Sequence, residues 1–399
     1  MYSLEQSPCG KLVPTIQGQK AFVPDPLPRQ ISLDSSQVYL LDEASRAVAT
    51  LAGVGETLPN PHLLIRPFVR REAVLSSRIE GTQASISDLF LFEASGERRV
   101  GGDVKEVSNY VTALEFGLGQ LPELPLSMRL INRIHSELLA GVRGEERTPG
   151  ELRNCQVWIG SEGTTIQEAR YVPPPPDLVP ELLADWEKFL NEDLRIPPLV
   201  QCAMMHYQFE AIHPYRDGNG RIGRLLITLF LCAKNVLPKP LLYLSAFFDR
   251  HRNEYYDRLY DISAKGDWDR WLKFFLEGVA EQAKDALIRS RRIRSLQEKY
   301  RSMLHERGAS GNTLRLLDEL FAYPFMTVPL ARRLMDSSQQ GAWNVLRRLT
   351  EAGIVRLDNT KWPRVYVATE LLQAIETPVA AESESPDAGN SVSSAGATV

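Results

Sequence analysis

The spacing of apolar residues predicts a mainly α-helical chain. From about residue 37 to residue 290, apolar positions recur every three or four residues, most clearly over residues 36–54, 63–80, 126–139 and 178–190. Residues 1–36 contain five prolines and lack this period, so we expect an extended N-terminal arm. Residues 154–176 also lack it, because the β-prone runs QVWIG and RYVP surround a polar, turn-rich centre. They predict a β-hairpin followed by a proline-stiffened strap.

The last third of the chain has a different order of elements. Residues 281–310 are basic and helical in character, which predicts a linker helix. Residues 311–372 show three helical patterns and then two β-prone runs, the order of a winged helix-turn-helix domain, with residues 342–352 as the recognition helix. Residues 373–399 are rich in alanine, serine and glutamate and are predicted to be disordered. Between the arm and the linker we expect an N-terminal helical region at 37–125 and a core at 126–280.

Charge and composition exclude several classes of protein. The 399 residues include 46 lysines and arginines and 50 aspartates and glutamates, so the net charge is −4 and no global field attracts nucleic acid or anionic lipid. Apolar residues make up 43% and charged residues 24%, as in globular rather than disordered or collagenous chains. The most apolar run, residues 225–233, is too short to span a bilayer, and the first residues resemble no secretory signal. We therefore expect a cytoplasmic protein with no membrane partner.

The segment HPYRDGNGRIGR, residues 213–224, concentrates the candidate chemistry. Pro214 must end the apolar helix before it, so His213 is expected at a helix terminus. Apolar periodicity resumes after Gly220, which predicts a tight loop leading into the N-terminus of a second helix. Main-chain amides at such a terminus bind anions, and Gly218 and Gly220 allow a ligand to approach them closely. We name residues 217–220 and the helical turn that follows them the anion cradle.

Charged residues around the anion cradle indicate a polyphosphate ligand. Arg221 and Arg224 occupy the first turn of the helix, where the macrodipole opposes cations, and their spacing places them on one face. An anion must compensate them, and two guanidiniums suit two or more phosphates. Asp217 is suited to bind Mg²⁺ or Mn²⁺ at phosphate oxygens, and Asn219 can bond a phosphate or the loop backbone. His213 can accept the proton of a hydroxyl attacking phosphorus, which indicates nucleotidyl or phosphoryl transfer.

These residues resemble the HxFx(D/E)GNGRxxR signature of Fic-domain proteins, with Tyr215 where phenylalanine is usual. The resemblance implies a Fic-type helical bundle with a β-hairpin flap, here joined to the winged helix-turn-helix domain. It implies transfer of AMP from ATP to a tyrosine, threonine or serine hydroxyl of a target protein, including the enzyme itself. UMP, GMP and a phosphoryl group are the alternative groups transferred. The flap would align the target main chain by strand addition.

The resemblance also assigns a role to each residue of the signature. His213 would be the base, Asp217 the metal ligand and Arg224 the ligand of the γ-phosphate. Outside the signature, Ser245 and the pair Tyr255 and Tyr256 resemble positions near the nucleotide. The nucleotide-binding residues expected from the whole pattern are Gly218, Asn219, Gly220, Arg221, Ile222, Gly223, Arg224, Ser245 and Tyr256.

A second motif lies far upstream. SSRIEG, residues 76–81, resembles the (S/T)xxxE(G/N) inhibitory motif of Fic proteins through Ser76, Glu80 and Gly81. By this resemblance Glu80 would pair with Arg224 and occupy the space of the γ-phosphate, which would inhibit the enzyme. In some relatives the same glutamate positions a water that removes AMP. The simpler alternative is a solvated carboxylate at a helix end.

A function of another class rests on residues 311–372. A nucleotide-sensing regulator would bind ATP in the core and DNA through the winged helix. Acidic residues dilute the basic stripe that would face DNA, so protein docking and formation of a homodimer are alternatives for this fold. The basic residues are Arg332, Arg333, Arg347, Arg348, Arg356, Lys361 and Arg364, and the acidic ones are Asp318, Glu319, Asp336, Glu351 and Asp358. His135 and His206 lack metal-ligand spacing and are expected to be structural.

Overall fold

The structure is a computed structural model that describes residues 4–57, 62–96, 101–160, 163–360 and 364–377. The fold is mainly helical, as the apolar period predicts, and no helix in these ranges is long and apolar enough to cross a membrane. The helices up to residue 306 are α1 (Ser35–Thr57), α2 (His62–Ile79), α3 (Ile86–Ser95), α4 (Gly102–Gln120), α5 (Met128–Leu139), α6 (Val179–Asn191), α7 (Pro198–Ile212), α8 (Asn219–Ala233), α9 (Ser245–Arg250), α10 (Arg252–Lys265) and α11 (Trp268–Glu306).

Helices α7 and α8 form the centre of the core and position the anion cradle. Every residue of α7 except Pro198 and Glu210 is buried, and α8 is buried from Arg221 to Leu231. A helix that is apolar on all sides must be surrounded, and here α6, α8 and α11 contact α7. The loop between α7 and α8 is therefore held between two fixed helix ends.

The predicted extended arm is wrong for residues 10–24. These residues form an antiparallel hairpin of β1 (Gly10–Pro14) and β2 (Lys20–Pro24), in which Gly10 lies opposite Pro24. Prolines occur at strand ends, where no ladder N–H is required. The hairpin is held against the rest of the protein because Phe22 is fully buried and its N–H donates to the carbonyl of Val172 at 2.8 Å.

The flap has less β-structure than the sequence predicts. In its described parts, residues 154–160 and 163–176, the pairing is one antiparallel bridge between Ile159 and Tyr171. The run from Pro173 to Pro176 offers no N–H groups for a longer ladder. The carbonyl of Val172 accepts the N–H of Phe22 in β2. At Val172 the flap therefore pairs with β2 and not with its own residues 154–160.

The predicted linker is not a separate helix. Helix α11 continues for 39 residues, so residues 281–306 are its last two thirds and no break occurs at residue 281. The Asp267 side chain caps its start by accepting the N–H of Arg270. The helical bundle and the residues after 310 are therefore connected by one continuous helix, α11.

Residues 311–377, the C-terminal unit, contain helices and a small antiparallel sheet of order β3-β5-β4. Its elements are α12 (Gly311–Ala322), β3 (Phe325–Met326), α13 (Val328–Met335), α14 (Gln339–Glu351), β4 (Arg356–Asp358), β5 (Val365–Val367) and α15 (Thr369–Glu376). The predicted recognition helix lies in α14, while the winged helix assignment stays a prediction. The predicted tail begins too early, because α15 includes residues 373–376; residues 378–399 lie outside the described ranges.

Candidate active site

His213 caps the C-terminal end of α7 in a left-handed conformation with φ 51°. Its main chain is held by Arg153, which is 2% exposed. Nε of Arg153 donates to the carbonyl of His213 at 2.8 Å, and Nη2 donates to the carbonyls of Ile212 at 3.3 Å and Pro174 at 2.6 Å. One buried guanidinium therefore joins the end of α7 to the strap that follows the flap.

The environment of His213 keeps its imidazole neutral. Burial, and after it the positive charge of Arg153, lower the pKa of His213 to about 4. At pH 7 the ring is consequently in the form that accepts a proton.

Asn219 and Tyr215 fix the loop between the two helices. Oδ1 of Asn219 accepts the N–H of Tyr215 at 2.8 Å, and Nδ2 donates to the Tyr215 carbonyl at 2.9 Å. The Tyr215 hydroxyl donates to Oδ1 of Asn132 at 2.7 Å. Of the two roles open to Asn219 in the sequence, its side chain performs the loop-fixing one.

His135 in α5 also contacts the loop between α7 and α8. Its ring stacks on Tyr215 with centroids 3.8 Å apart, and its Nδ1 accepts the N–H of Gly150 at 2.8 Å. Nε2 must then carry the proton and donate to the carbonyl of Asp217 at 2.9 Å. His135 is structural, as expected, and the structure it maintains is the anion cradle.

The anion cradle is a helix N-terminus lined by glycines. Gly218 precedes α8 with φ 76°, and its N–H donates to Oδ1 of Asp217 at 2.6 Å. Arg221 is 1% exposed and donates to Glu106 at 3.2 Å and to Asp217 at 3.4 Å. A Cβ atom on Gly220 would lie 2.3 Å from Oε1 of Glu80, so this carboxylate rests directly on the first turn of α8.

Arg224 brings the two distant motifs together. Its Nε donates to Oγ of Ser76 at 3.0 Å, and its Nη2 donates to the Ser76 carbonyl at 2.9 Å and to Oε1 of Glu80 at 2.7 Å. Burial by itself would raise the pKa of Glu80, but the charge and the hydrogen bond of Arg224, together with the charge of Arg221, outweigh it and lower the pKa below its ordinary value. Gly81, with φ 96°, turns the chain directly after Glu80. Glu80 is thus an ionised partner of Arg224 rather than a solvated helix end.

Comparison with protein families decides the identity of this arrangement. Residues 38–119 match the Fic/DOC family N-terminal model, and residues 125–231 match the Fic/DOC family model. The chain contains a Fic domain. Its signature residues and those of the SSRIEG motif meet at Arg224 in the structure.

Curated relatives and a solved structure agree with the Fic assignment. The chain is 38% identical over 172 residues to a probable protein adenylyltransferase of Aquifex aeolicus, covering 43% of this chain and 50% of that protein. It is 30% identical over 154 residues to the protein adenylyltransferase Fic of Aedes aegypti, covering 38% of this chain and 27% of that protein. The chain therefore spans only a quarter to a half of these relatives. A Fic family protein from Desulfovibrio desulfuricans G20 shares the fold, with TM-score 0.55, 19% identity and coverage of 85% of this chain and 97% of that one.

Two residues expected at the nucleotide do not face the anion cradle of the Fic domain. Ser245 is fully buried, and its hydroxyl donates to Oε1 of Glu72 at 2.5 Å. Ile222 is fully buried in the core, and its N–H donates to the Gly218 carbonyl. Core packing and local bonds use these groups in the structure, so the nucleotide-binding role expected for Ser245 and Ile222 stays a prediction.

The aromatic pair and Gly223 have separate roles. Tyr255 is buried, and its hydroxyl bonds to Nε2 of His206 at 2.8 Å. Tyr256 is half-buried on the side of Glu80, where burial and the Glu80 charge raise its pKa. Nδ1 of His206 lies 3.0 Å from the carbonyl of Gly223, so His206 in α7 contacts the main chain of α8 at this residue.

Sequence reasoning missed three carboxylates near the arginines: Glu72 and Glu106, which are buried, and Glu210, which is partly buried. Glu106 pairs with Arg221, and Glu72 in α2 accepts bonds from the N–H and the hydroxyl of Ser245. Burial raises the pKa values of Glu72 and Glu210 to about 7. The available signal was a glutamate within an apolar helical run, as at Glu210 in MMHYQFEAI.

Asp217 fits the expected metal. Its side chain is 35% exposed beside the anion cradle, and a carboxylate oxygen is a suitable Mg²⁺ ligand. Within the described ranges no three histidine, cysteine or acidic side chains form a metal-binding group. This donor set suits Mg²⁺ shared between one carboxylate and substrate phosphates better than a closed protein cage.

Proposed function

We propose that this protein is a protein adenylyltransferase that transfers AMP from ATP to a tyrosine, threonine or serine hydroxyl of a target protein, including itself. The observation that carries the proposal is the position of the Glu80 carboxylate. It lies on Gly220 at the N-terminus of α8 and bonds to Arg224, so an anion already uses the contacts that a phosphate would use. The relatives named adenylyltransferases support the same activity.

The proposed reaction is an in-line displacement at the α-phosphorus of ATP. The target hydroxyl oxygen forms a bond to this phosphorus, the bond to the bridging oxygen of pyrophosphate breaks, and pyrophosphate leaves. The neutral imidazole of His213 takes the hydroxyl proton. The amides at the start of α8 and the guanidiniums of Arg221 and Arg224 compensate the phosphate charge. Mg²⁺ or Mn²⁺ bound with ATP would be held by Asp217 and would neutralise further charge.

Inhibition by Glu80 is the second part of the proposal. ATP must displace the carboxylate from Arg224 before its γ-phosphate can occupy this position. A charge-assisted hydrogen bond contributes about 1.5–3 kcal/mol, which corresponds to a suppression of roughly 10- to 150-fold. Ser76 supports this arrangement because it holds the other side of the Arg224 guanidinium.

The test is incubation of the purified chain with α-labelled ATP and Mg²⁺. We expect weak labelling of the wild type, strong labelling of Glu80→Gly and none of Glu80→Gly/His213→Ala. A Glu80→Gly variant that acquires no label would refute the proposal. Labelling from γ-labelled rather than α-labelled ATP would indicate phosphoryl transfer, and competition by UTP or GTP would indicate another nucleotide. Loss of AMP from prelabelled wild type but not from Glu80→Gly would assign AMP removal to Glu80.

The place of action that we propose is the cytoplasm, where ATP is available and thiols stay reduced. Among the described residues, Cys9, Cys155, Cys202 and Cys232 are free thiols, which is consistent with a reducing compartment.

A second candidate function is DNA binding by the C-terminal unit. The observation that favours it is the solvent-facing side of α14, where Trp343 is 40% exposed and Arg347 and Arg348 are exposed beside it. Lys361 of the proposed basic stripe lies outside the described ranges. A gel shift under salt titration tests DNA binding. If the C-terminal unit binds DNA, the affinity falls steeply as the salt concentration rises, and the double variant Arg347→Ala/Arg348→Ala binds more weakly. Light scattering of the same samples tests the alternative of a homodimer.

A further inference from the structure

Helix α2, which ends one residue before Glu80, contacts the C-terminal unit with its other end. The guanidinium of Arg66 in α2 lies 4.1 Å from the ring centroid of Tyr323, which directly follows α12. This separation is well within the range of a cation–π interaction. The helix of the inhibitory motif is therefore attached to the C-terminal unit by a specific contact.

Helix α3, on the other side of Glu80, contacts the same unit. The rings of Phe90 in α3 and Phe325 in β3 are stacked with centroids 6.3 Å apart. The buried hydroxyl of Thr327 donates to the carbonyl of Ala94 in α3 at 3.0 Å. The same oxygen accepts the N–H of Leu330 and caps α13. One side chain thus joins the start of α13 to the end of α3.

A charged chain of contacts gives α2 a third connection. Arg71 in α2 lies 3.5 Å from Asp285 in α11, and Asp285 pairs with Arg289. Arg289 is 1% exposed and donates to the carbonyl of Ile375 in α15. The last helix of the C-terminal unit is therefore connected to α2 through two residues of α11.

We propose that the C-terminal unit is a clamp that holds Glu80 on Arg224. Glu80 lies in the short turn between α2 and α3, and the C-terminal unit contacts both helices. Its contacts stabilise the arrangement in which the carboxylate occupies the anion cradle. A ligand that binds the C-terminal unit better when it is detached from α2 and α3 would release Glu80, and by linkage ATP would weaken the attachment. The proposal rests on inhibition by Glu80 as set out above.

The test uses the full chain with a variant of the clamp contact and a matched control. Thr327→Val keeps the side-chain shape but removes the bond to Ala94 and the cap of α13. Ser338→Ala removes a comparable cap, that of α14, where the Ser338 hydroxyl is exposed and accepts the N–H of Gly341. We expect Thr327→Val to raise AMP transfer from α-labelled ATP about fivefold, the factor that one ordinary hydrogen bond represents, and Ser338→Ala to leave it unchanged.

Two further measurements separate this inference from the proposed function. In the Glu80→Gly background, Thr327→Val should cause no further increase, because the group it releases is already absent. An equal increase in both backgrounds, or no increase in the wild type, would overturn the clamp. Hydrogen exchange at the amides of residues 76–85 should be faster in Thr327→Val than in wild type or Ser338→Ala. Unchanged exchange would also overturn it, and this readout decides the clamp even if Glu80→Gly transfers no AMP.

Discussion

Oε1 of Glu80 lies 2.7 Å from Nη2 of Arg224, and the same oxygen covers Gly220 at the first turn of α8. The carboxylate supplies the negative charge beside Arg224, while Glu106 and Asp217 supply it beside Arg221. Because the site is electrostatically satisfied without nucleotide, an incoming triphosphate has to replace an existing anion. This competition is the basis of the first two predictions.

Removing only the charge of Glu80 should release the site in part. In Glu80→Gln the side chain still reaches Arg224, but a neutral acceptor forms a weaker hydrogen bond than a carboxylate. We expect AMP transfer to rise severalfold, to a rate between those of the wild type and Glu80→Gly. Initial rates with α-labelled ATP measure it, with Glu151→Gln, an exposed carboxylate, as the control. Equal rates in Glu80→Gln and wild type would show that the charge does not restrain the enzyme.

A methyl group on Gly220 should block the anion cradle itself. The added Cβ would lie 2.3 Å from the Glu80 carboxylate and 3.0 Å from Nη1 of Arg224. In the Glu80→Gly background we expect Gly220→Ala to reduce AMP transfer by about tenfold or more, since phosphate must approach the same amides closely. Gly119→Ala is the control, because nothing lies within 4 Å of that Cβ position in α4. Both changes to alanine should leave folding intact in a thermal melt.

The pH dependence of AMP transfer should show that the catalytic base has an unusually low pKa. Burial and Arg153 lower the pKa of His213 to about 4, so its neutral form persists well below the ordinary histidine value of about 6.5. We expect kcat/KM of Glu80→Gly to stay level from pH 8 to about 5 and to fall only near the lowered pKa. Arg153→Gln removes a positive charge and should move this acid limb to higher pH. An acid limb at 6.5 in the parent variant would contradict the prediction.

Two neighbouring serines of α2 should differ in their effect on stability. Ser76→Ala removes the acceptor of the buried Nε of Arg224, and leaving such a group unpaired costs about 1–3 kcal/mol. Ser77 is also buried, but its hydroxyl bonds to nothing in the described part of the chain, so Ser77→Ala should be neutral or slightly stabilising. Urea denaturation gives both free energies of unfolding. Equal losses for the two serines would contradict the assigned role of Ser76.

Much of the candidate site could be predicted because its residues act locally. Helix α7 ends at Ile212, shortly before Pro214, and Gly218 precedes α8, as the positions of proline and glycine in the sequence predict. The motif at residues 76–81 predicted the partner of Arg224, which the structure places at Glu80. The features that local patterns did not indicate depend on distant parts of the chain, such as the bond from the Ser245 hydroxyl to Glu72 and the hairpin at residues 10–24.

The sequence by itself determined the helices and the order of charged and glycine residues around α8, because periodicity, proline and glycine operate within a few residues. Only the tertiary structure decided that Arg153 fixes His213, that His135 fixes the carbonyl of Asp217, and that the C-terminal unit contacts both helices beside Glu80. These are contacts between residues distant in the chain. Whether a buried polar group has a partner depends on which segments the fold brings beside it, and no local pattern records that.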